Sequence, residues 1–397
     1  MNTTVDAKQL RNALATIKPA TASWAPSRLV KLVANGDMLR LRATNGAIEI
    51  GDIVDAVTTE PGTTVVQYAD LVAVLKGAKG DVEINTGTVG ASQDAQHRAL
   101  SIRTSALVAV LETTDPADFP PARSMGQKSF TWTYEGPALA SAITRALVAV
   151  ALDETRPVLC TVHVQLGKRL ELTCTDGFRI MHDETCTLVG KSPTRKAVKP
   201  VLIHRTTMAA LAKLAATSDV VRIAVDTVHQ TIRVTPESGA WALVALLDQG
   251  PYPNCATIYP ATYAHTATLD RDALLFHLRS LHDFTCRGLS RRRARSRPIS
   301  TNSKLVATAD ALTLSASNGD ETRALTMPIR GSSDWHIAIH NPYLIDACEH
   351  AGPEITVQLN KWDKAALFTL GEHTTALIMP MYAQWETKNA KKEQVTA

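Results

Sequence analysis

Apolar and polar positions alternate along Leu39-Arg40-Leu41-Arg42-Ala43-Thr44-Asn45-Gly46. The same order returns at Leu170-Glu171-Leu172-Thr173-Cys174-Thr175-Asp176-Gly177 and at Leu312-Thr313-Leu314-Ser315-Ala316-Ser317-Asn318-Gly319. A period of two marks a half-buried strand, and Asn-Gly or Asp-Gly tolerates the positive φ of a tight turn. Each segment therefore predicts a strand running into a reversal. The copies lie roughly 130 to 140 residues apart, a domain length rather than a solenoid unit, and three such copies fill the chain.

The flanks of the repeated strand repeat as well. Apolar residues at helical spacing before it predict amphipathic helices over Asp6 to Ile17, Pro137 to Leu152 and Asp270 to Phe284, with Leu10, Leu14 and Ile17, or Leu274, Leu278 and Leu281, on the buried face. A second helix follows in each copy, carrying Leu71, Val74 and Leu75, then Met208, Leu211 and Leu214, then Leu344, Ile345 and Cys348. Paired strands come next, at Val82-Glu83-Ile84, Val221 to Val225 and Ile355-Thr356-Val357. Each leads to a last apolar strand: Ala106 to Leu111, Trp241 to Leu247, and Thr375 to Met379. The first two copies close on Phe119-Pro120 and Tyr252-Pro253, which places domains at 1–124, 125–259 and 260–382 and leaves a tail, 383–397, expected to be disordered. The fold class expected is α+β: three tandem domains, each of two helices on antiparallel sheet.

Composition agrees with a globular chain, 45% hydrophobic and 20% charged. No stretch reaches the roughly 20 apolar residues of a membrane helix, and the polar start Met1-Asn2-Thr3-Thr4 lacks the order of a signal peptide, so a cytoplasmic protein with no membrane partner is expected. The six cysteines form no Cys-x-x-Cys pair and read as reduced packing residues, not metal ligands. Catalytic patterns are missing too. Gly190-Lys191-Ser192 resembles the end of a phosphate-binding loop, but Thr185 stands where the first glycine is required and Pro193 follows where a helix would begin. Asp176 aligns with Asn45 and Asn318, so it reads as a turn former; Asp153-Glu154 beside Arg156 reads as surface charge. No catalytic residue, metal or cofactor is expected.

The net charge of +4 is mild but uneven. Arg287, Arg291, Arg292, Arg293, Arg295 and Arg297 fall in one run, between a first helix and a repeated strand, where the other copies carry Arg28 and Arg156. Such runs form either a solvated loop or a contact with phosphate, which needs positive charge and carries no sequence information. The candidate phosphate-facing residues are Lys8, Arg11, Arg28, Arg145, Arg156, Arg291, Arg292, Arg293 and Arg297.

Taken together, the triplicated order, Thr175-Asp176-Gly177-Phe178-Arg179-Ile180, Asp118-Phe119-Pro120, Tyr252-Pro253 and Leu377-Ile378-Met379-Pro380-Met381 resemble the bacterial DNA polymerase III beta subunit, the sliding clamp, over essentially all of 1–382. The resemblance implies a head-to-tail homodimer forming a ring around duplex DNA, with no catalysis of its own. It also implies a pocket for short apolar peptides of the DNA polymerase III catalytic subunit, the clamp loader and other proteins with a clamp-binding motif. Matched residue by residue, that pocket falls on Leu159, Thr175, Gly177, Phe178, Arg179, Ile180, Pro253, Ile258, Asn341, Tyr343, Leu377, Met379 and Met381. Leu159, Ile180, Ile258 and Leu377 read equally well as plain core. The chain departs from the family pattern at Phe178, where His is frequent, and at Tyr382, after which fifteen more residues follow. The alternatives are a non-encircling monomeric nucleic-acid-binding repeat protein, or a divergent clamp from a phage, a plasmid or a second chromosomal copy.

Overall fold

The computed structural model describes residues 1–21, 28–89, 97–126, 129–192, 198–286, 301–318, 321–331 and 334–383. Its elements follow one order three times: strand, helix, four strands, helix, three strands. The first passage starts with Asn2–Asp6 and helix α1 (Ala7–Ile17). It continues through Leu29–Asn35, Met38–Thr44, Ile48–Glu60 and Gly62–Gln67 to helix α2 (Tyr68–Leu75), then Asp81–Val89, His97–Arg103 and Val108–Thr114. The second runs from Phe130–Glu135 and helix α3 (Gly136–Leu147) through helix α4 (Arg205–Ala215) to Trp241–Leu246. The third runs from His265–Asp270 and helix α5 (Arg271–Cys286) through helix α6 (Asn341–Glu349) to Thr374–Ile378.

Local chemistry sets the helix ends. The Asp6 carboxylate accepts the Lys8 and Gln9 amides, each at 2.9 Å, and so caps α1. Leu10, Leu14 and Ile17 then bury completely or nearly so, as do Leu274, Leu278 and Leu281 on α5. Helix α3 stops five residues before the expected Leu152. Its last turn tightens, with the Ala149 and Val150 amides donating three residues back to Ala146 and Leu147, and the Arg179 guanidinium captures the freed Val148 carbonyl.

Two compact units result. The first holds Met1–Ser141, Leu188–Ala197 and Thr206–Asp248; the second holds Ala142–Thr187, Val198–Arg205 and Gln249–Ala397. Inside the first, a 12-stranded sheet passes from the first passage to the second where Ile48–Glu60 lies antiparallel to Trp241–Leu246, with Ile50 opposite Leu243 and Asp52 opposite Trp241. Inside the second, an 8-stranded sheet makes the same kind of junction: Arg179–Asp183 lies antiparallel to Thr374–Ile378, with Ile180 opposite Leu377. Both junctions are continuous sheet, and residues of the second passage fall in both units.

The counterparts of these strands in the other passages are left open. Thr322–Pro328 is the edge of a 4-stranded sheet and pairs only with Ala311–Ser317 among the described residues. Val108–Thr114 pairs along one side with His97–Arg103, but on its other side only Thr113 and Thr114 meet Gly62–Gln67. That open stretch presents Val108 and Val110 at 58% and 56% exposure.

Candidate functional site

In the second unit the turn Thr175-Asp176-Gly177-Phe178-Arg179 follows from its side chains. The Thr175 hydroxyl accepts the Gly177 amide at 3.1 Å, and the Asp176 carboxylate accepts the amides of Phe178 and Arg179 at 2.9 and 3.1 Å. Gly177 takes φ +93°, a conformation that a Cβ would strain. The sister turn is built alike: Thr44 accepts the Gly46 amide, Asn45 accepts those of Ala47 and Ile48, and Gly46 takes φ +87°. Asp176 is a turn former, as its alignment with an amide predicts. Gly319 of the third copy lies outside the described residues.

Arg179 ties this turn to α6. Its guanidinium donates to Asp176 at 3.0 Å, to Asp346 at 2.7 Å and to the Val148 carbonyl, and it stacks 4.4 Å above the Tyr343 ring. Phe178, the next residue back, turns outward and is 56% exposed; its carbonyl accepts the Met379 amide at 2.9 Å, which extends the ladder beyond Ile378. Phe178 and Met379, itself 41% exposed, therefore stand beside one another at the strand ends.

The remaining residues matched to the pocket separate into core and surface. Ile180 and Leu377 bury together with Cys255 and Ala365, under Tyr252, Tyr259 and Leu367. Leu159 buries with Ala151 and Cys160. Thr175 and Asn341 are buried too, and the Asn341 side-chain amide has no hydrogen-bond partner among the described residues. Ile258, read as possible core, is 47% exposed. Pro253 lines a cleft of about 630 Å³ with His163, Thr173, His182 and Tyr252. Met381 donates its amide to the Ala338 carbonyl and lines a separate cavity of about 130 Å³ with Lys304, His336, Trp362 and Tyr382. The exposed apolar side chains of the set are Phe178, Pro253, Ile258 and Met379.

The basic residues differ in exposure and in the partners that hold them. Lys8, Arg28 and Arg156 are exposed. Arg11 is spoken for by the Leu75 and Ala78 carbonyls at the end of α2. Arg145 departs most from the expectation of a phosphate contact: its Nε lies 2.5 Å from Asp183, a fully buried carboxylate, and its terminal nitrogen donates to Thr185. A guanidinium that neutralises a buried acid is held for structure. Arg291, Arg292, Arg293 and Arg297 lie outside the described residues, as does the tail from 384 onward. Glu154 is ion-paired with Arg205 at 2.6 Å, and Asp153 accepts from Thr155, the surface roles expected of them.

Residues 134–254 match the family model of the DNA polymerase III beta subunit, central domain. The beta sliding clamp of Micrococcus luteus is 25% identical over 194 residues, 48% of this chain, and the match spans 57% of that relative's length. Across the whole fold, the DNA polymerase III beta subunit of Pseudomonas aeruginosa superposes with a TM-score of 0.83 at 21% identity, covering 96% of this chain and 100% of that one. The Bacillus subtilis sliding clamp does so with 0.83 at 18% identity, covering 96% and 99%. The chain has the beta sliding-clamp fold.

Two features of this clamp fold escaped the sequence reading. In the second unit His163, Thr173, His182 and Thr375 are directly opposite one another across four strands, so they form one polar row. Tyr252 lies over its end, its ring 5.2 Å from that of His163 and its hydroxyl donating to the Thr173 carbonyl at 3.4 Å. Burial, with His182 nearby, holds the His163 pKa below its ordinary value, and burial pushes the Tyr252 phenol well up. The second feature is Cys286, which is exposed, whereas the other five cysteines are buried as packing residues; burial pushes the Cys348 thiol up to about 12.

Proposed function

We propose that this chain is a DNA sliding clamp: a non-catalytic processivity factor whose two copies close head to tail around duplex DNA and tether a replicative polymerase to it. The observation that carries the reading is the pattern of junctions. In two places the strand after the Gly turn pairs with the last strand of the following passage, Ile48–Glu60 with Trp241–Leu246 and Arg179–Asp183 with Thr374–Ile378. Among the described residues, the third such strand, Thr322–Pro328, and the first last strand, Val108–Thr114, lack this pairing. Open edges are a liability that must be paired or blunted. Pairing Thr322–Pro328 of one copy with Val108–Thr114 of another repeats the same junction and, applied twice, closes a ring. Apolar surface stands ready on both sides, at Val108 and Val110 and at Phe276 of α5, which is 69% exposed in a hollow shared with Arg323 of the open strand.

On this reading the three passages are domains 1–124, 125–259 and 260–382, and Lys8, Arg28, Arg156 and the arginine run meet phosphates without reading bases, so the ring slides on any sequence. The peptide contact is led by Phe178, Met379 and Ile258, with Leu159, Ile180 and Leu377 as its buried floor. Its occupants are short apolar segments of the polymerase catalytic subunit, the clamp loader and other motif-bearing proteins. Tethering makes the polymerase's return to DNA intramolecular, at high effective concentration. Sedimentation equilibrium tests the assembly. The expected species has twice the chain mass of 42.8 kDa, and a monomer at micromolar concentration overturns the ring.

A further inference from the structure

On the face of the 12-stranded sheet, a trough of about 720 Å³ lies across the junction of Ile48–Glu60 with Trp241–Leu246. Its floor is made of small side chains: Gly51 stands opposite both Arg42 and Ala242, and the Ala240 carbonyl accepts the Ile53 amide at 3.0 Å. Lys31, Arg40 and Arg42 form one wall, Arg222 and Arg233 the other. The strands bearing Arg40 and Arg233 are three steps apart in the sheet, about 14 Å at about 4.8 Å per step, wide enough for one extended chain with its side chains.

Three of the five cations are already engaged. Arg42 pairs with Glu49 at 3.6 Å and lies over the Phe119 ring, Arg222 pairs with Glu237 at 2.7 Å, and Lys31 donates to the Pro116 carbonyl at 3.4 Å. Arg40 and Arg233 are exposed and have no ion pair or hydrogen bond among the described residues. The fold does not require this charge. The second unit has a trough at the same place in the repeat, and there Glu171 occupies the position of Arg40, Thr173 that of Arg42, His163 that of Lys31 and Thr375 that of Ala242. The same scaffold is built without a single lysine or arginine in its lining.

We propose that this trough docks an acidic peptide segment of a partner protein, whose carboxylates pair with Arg40 and Arg233 while apolar side chains rest on Gly51, Ala240 and Ala242. Guanidinium forks suit carboxylates, and exposed Ile53 with Pro121 and Ala122 supplies apolar surface between them. Single-stranded nucleic acid is disfavoured because the nearby rings, Phe119 and Trp241, are buried at 4% and 6% exposure and offer no face for base stacking. The site stands independently of the clamp reading, since none of its residues belongs to the peptide contact at Phe178 and Met379 or to the open edges.

The test is fluorescence anisotropy on the full chain with a short labelled peptide of alternating Glu and Leu, its Lys-Leu counterpart, and a labelled oligothymidylate. The double variant Arg40→Glu with Arg233→Glu changes only exposed, unpaired side chains, and circular dichroism checks that its fold is kept. The expected result is binding of the Glu-Leu peptide alone, weakened at least about tenfold in the variant, as loss of charge-assisted bonds predicts, and weakened by salt. Binding unchanged in the variant, or no binding of the Glu-Leu peptide, overturns the proposal. Tighter binding of the oligonucleotide that is lost in the variant overturns the choice of a peptide.

Discussion

Arg179 donates to the Asp346 carboxylate at 2.7 Å, and this contact fastens the Thr175–Ile180 turn to helix α6. The same guanidinium meets Asp176, the Val148 carbonyl and the Tyr343 ring, and only 13% of the side chain is exposed. A planar fork serving four groups at once has no equivalent in a point charge. Arg179→Ala is expected to destabilise the second unit by about 2 to 4 kcal/mol, because it leaves two carboxylates without their cation. Arg179→Lys should recover less than half of that. Urea unfolding of the three proteins measures both; a fully stable lysine variant would show that charge alone matters here.

Met379 and Ile180 belong to one expected pocket, yet their burial separates their roles. Met379 is 41% exposed and Ile180 is 4% exposed. Met379→Lys should leave the melting temperature nearly unchanged and weaken an apolar clamp-binding peptide by about 2 kcal/mol, the size of a central anchor. Ile180→Ala should instead lower stability by about 2 to 4 kcal/mol through the cavity it opens among Leu377, Cys255 and Ala365. Calorimetric titration with thermal unfolding reads the two effects separately. A lysine variant that binds the peptide normally would assign Met379 to the surface alone.

Acidification should destabilise the second unit. His163, His340 and His350 all have pKa values held below 6.5, in each case chiefly by burial. The unfolded chain therefore takes up protons that the folded chain refuses, so stability is full above about pH 7 and falls as pH drops through 6.5 toward the lowered folded values. Replacing His163 with Asn removes one of these groups and should flatten the slope as pH falls below about 7. An identical slope would place the proton uptake elsewhere.

Val110 points outward on an open strand at 56% exposure, and on the proposed ring it meets the partner copy. Val110→Asp should shift the sedimentation equilibrium to monomer while circular dichroism and unfolding stay near those of the parent, because the side chain is largely exposed in the single chain. A variant that remains fully dimeric would move the interface away from this edge.

Much of this was legible in the sequence. Leu10, Leu14 and Ile17 fixed α1 by their spacing, and the Leu-x-Leu strand running into Asn-Gly or Asp-Gly fixed the turns, because side-chain periodicity and positive φ are local properties. The end of α3 was not legible, since the Val148 carbonyl is taken by Arg179, a residue distant in sequence. Nor was the role of Arg145: its charge is visible in the sequence, but the buried Asp183 that neutralises it is brought near only by folding. The pocket residues could be named but not sorted, because a leucine against the core and an isoleucine at the surface look alike until register decides between them.

Encirclement itself is best tested by how the protein leaves DNA. Protein loaded on nicked circular plasmid by a clamp loader is applied to gel filtration at high salt, with half of the sample linearised beforehand. An open binder touching Z phosphates loses affinity with a log–log salt slope of about −0.9Z and leaves both forms alike. A closed ring is held by topology. The account predicts retention on circles, loss from linear DNA, and little change in retention on circles when Arg291, Arg292 and Arg293 are neutralised. Equal loss from circular and linear DNA would contradict it.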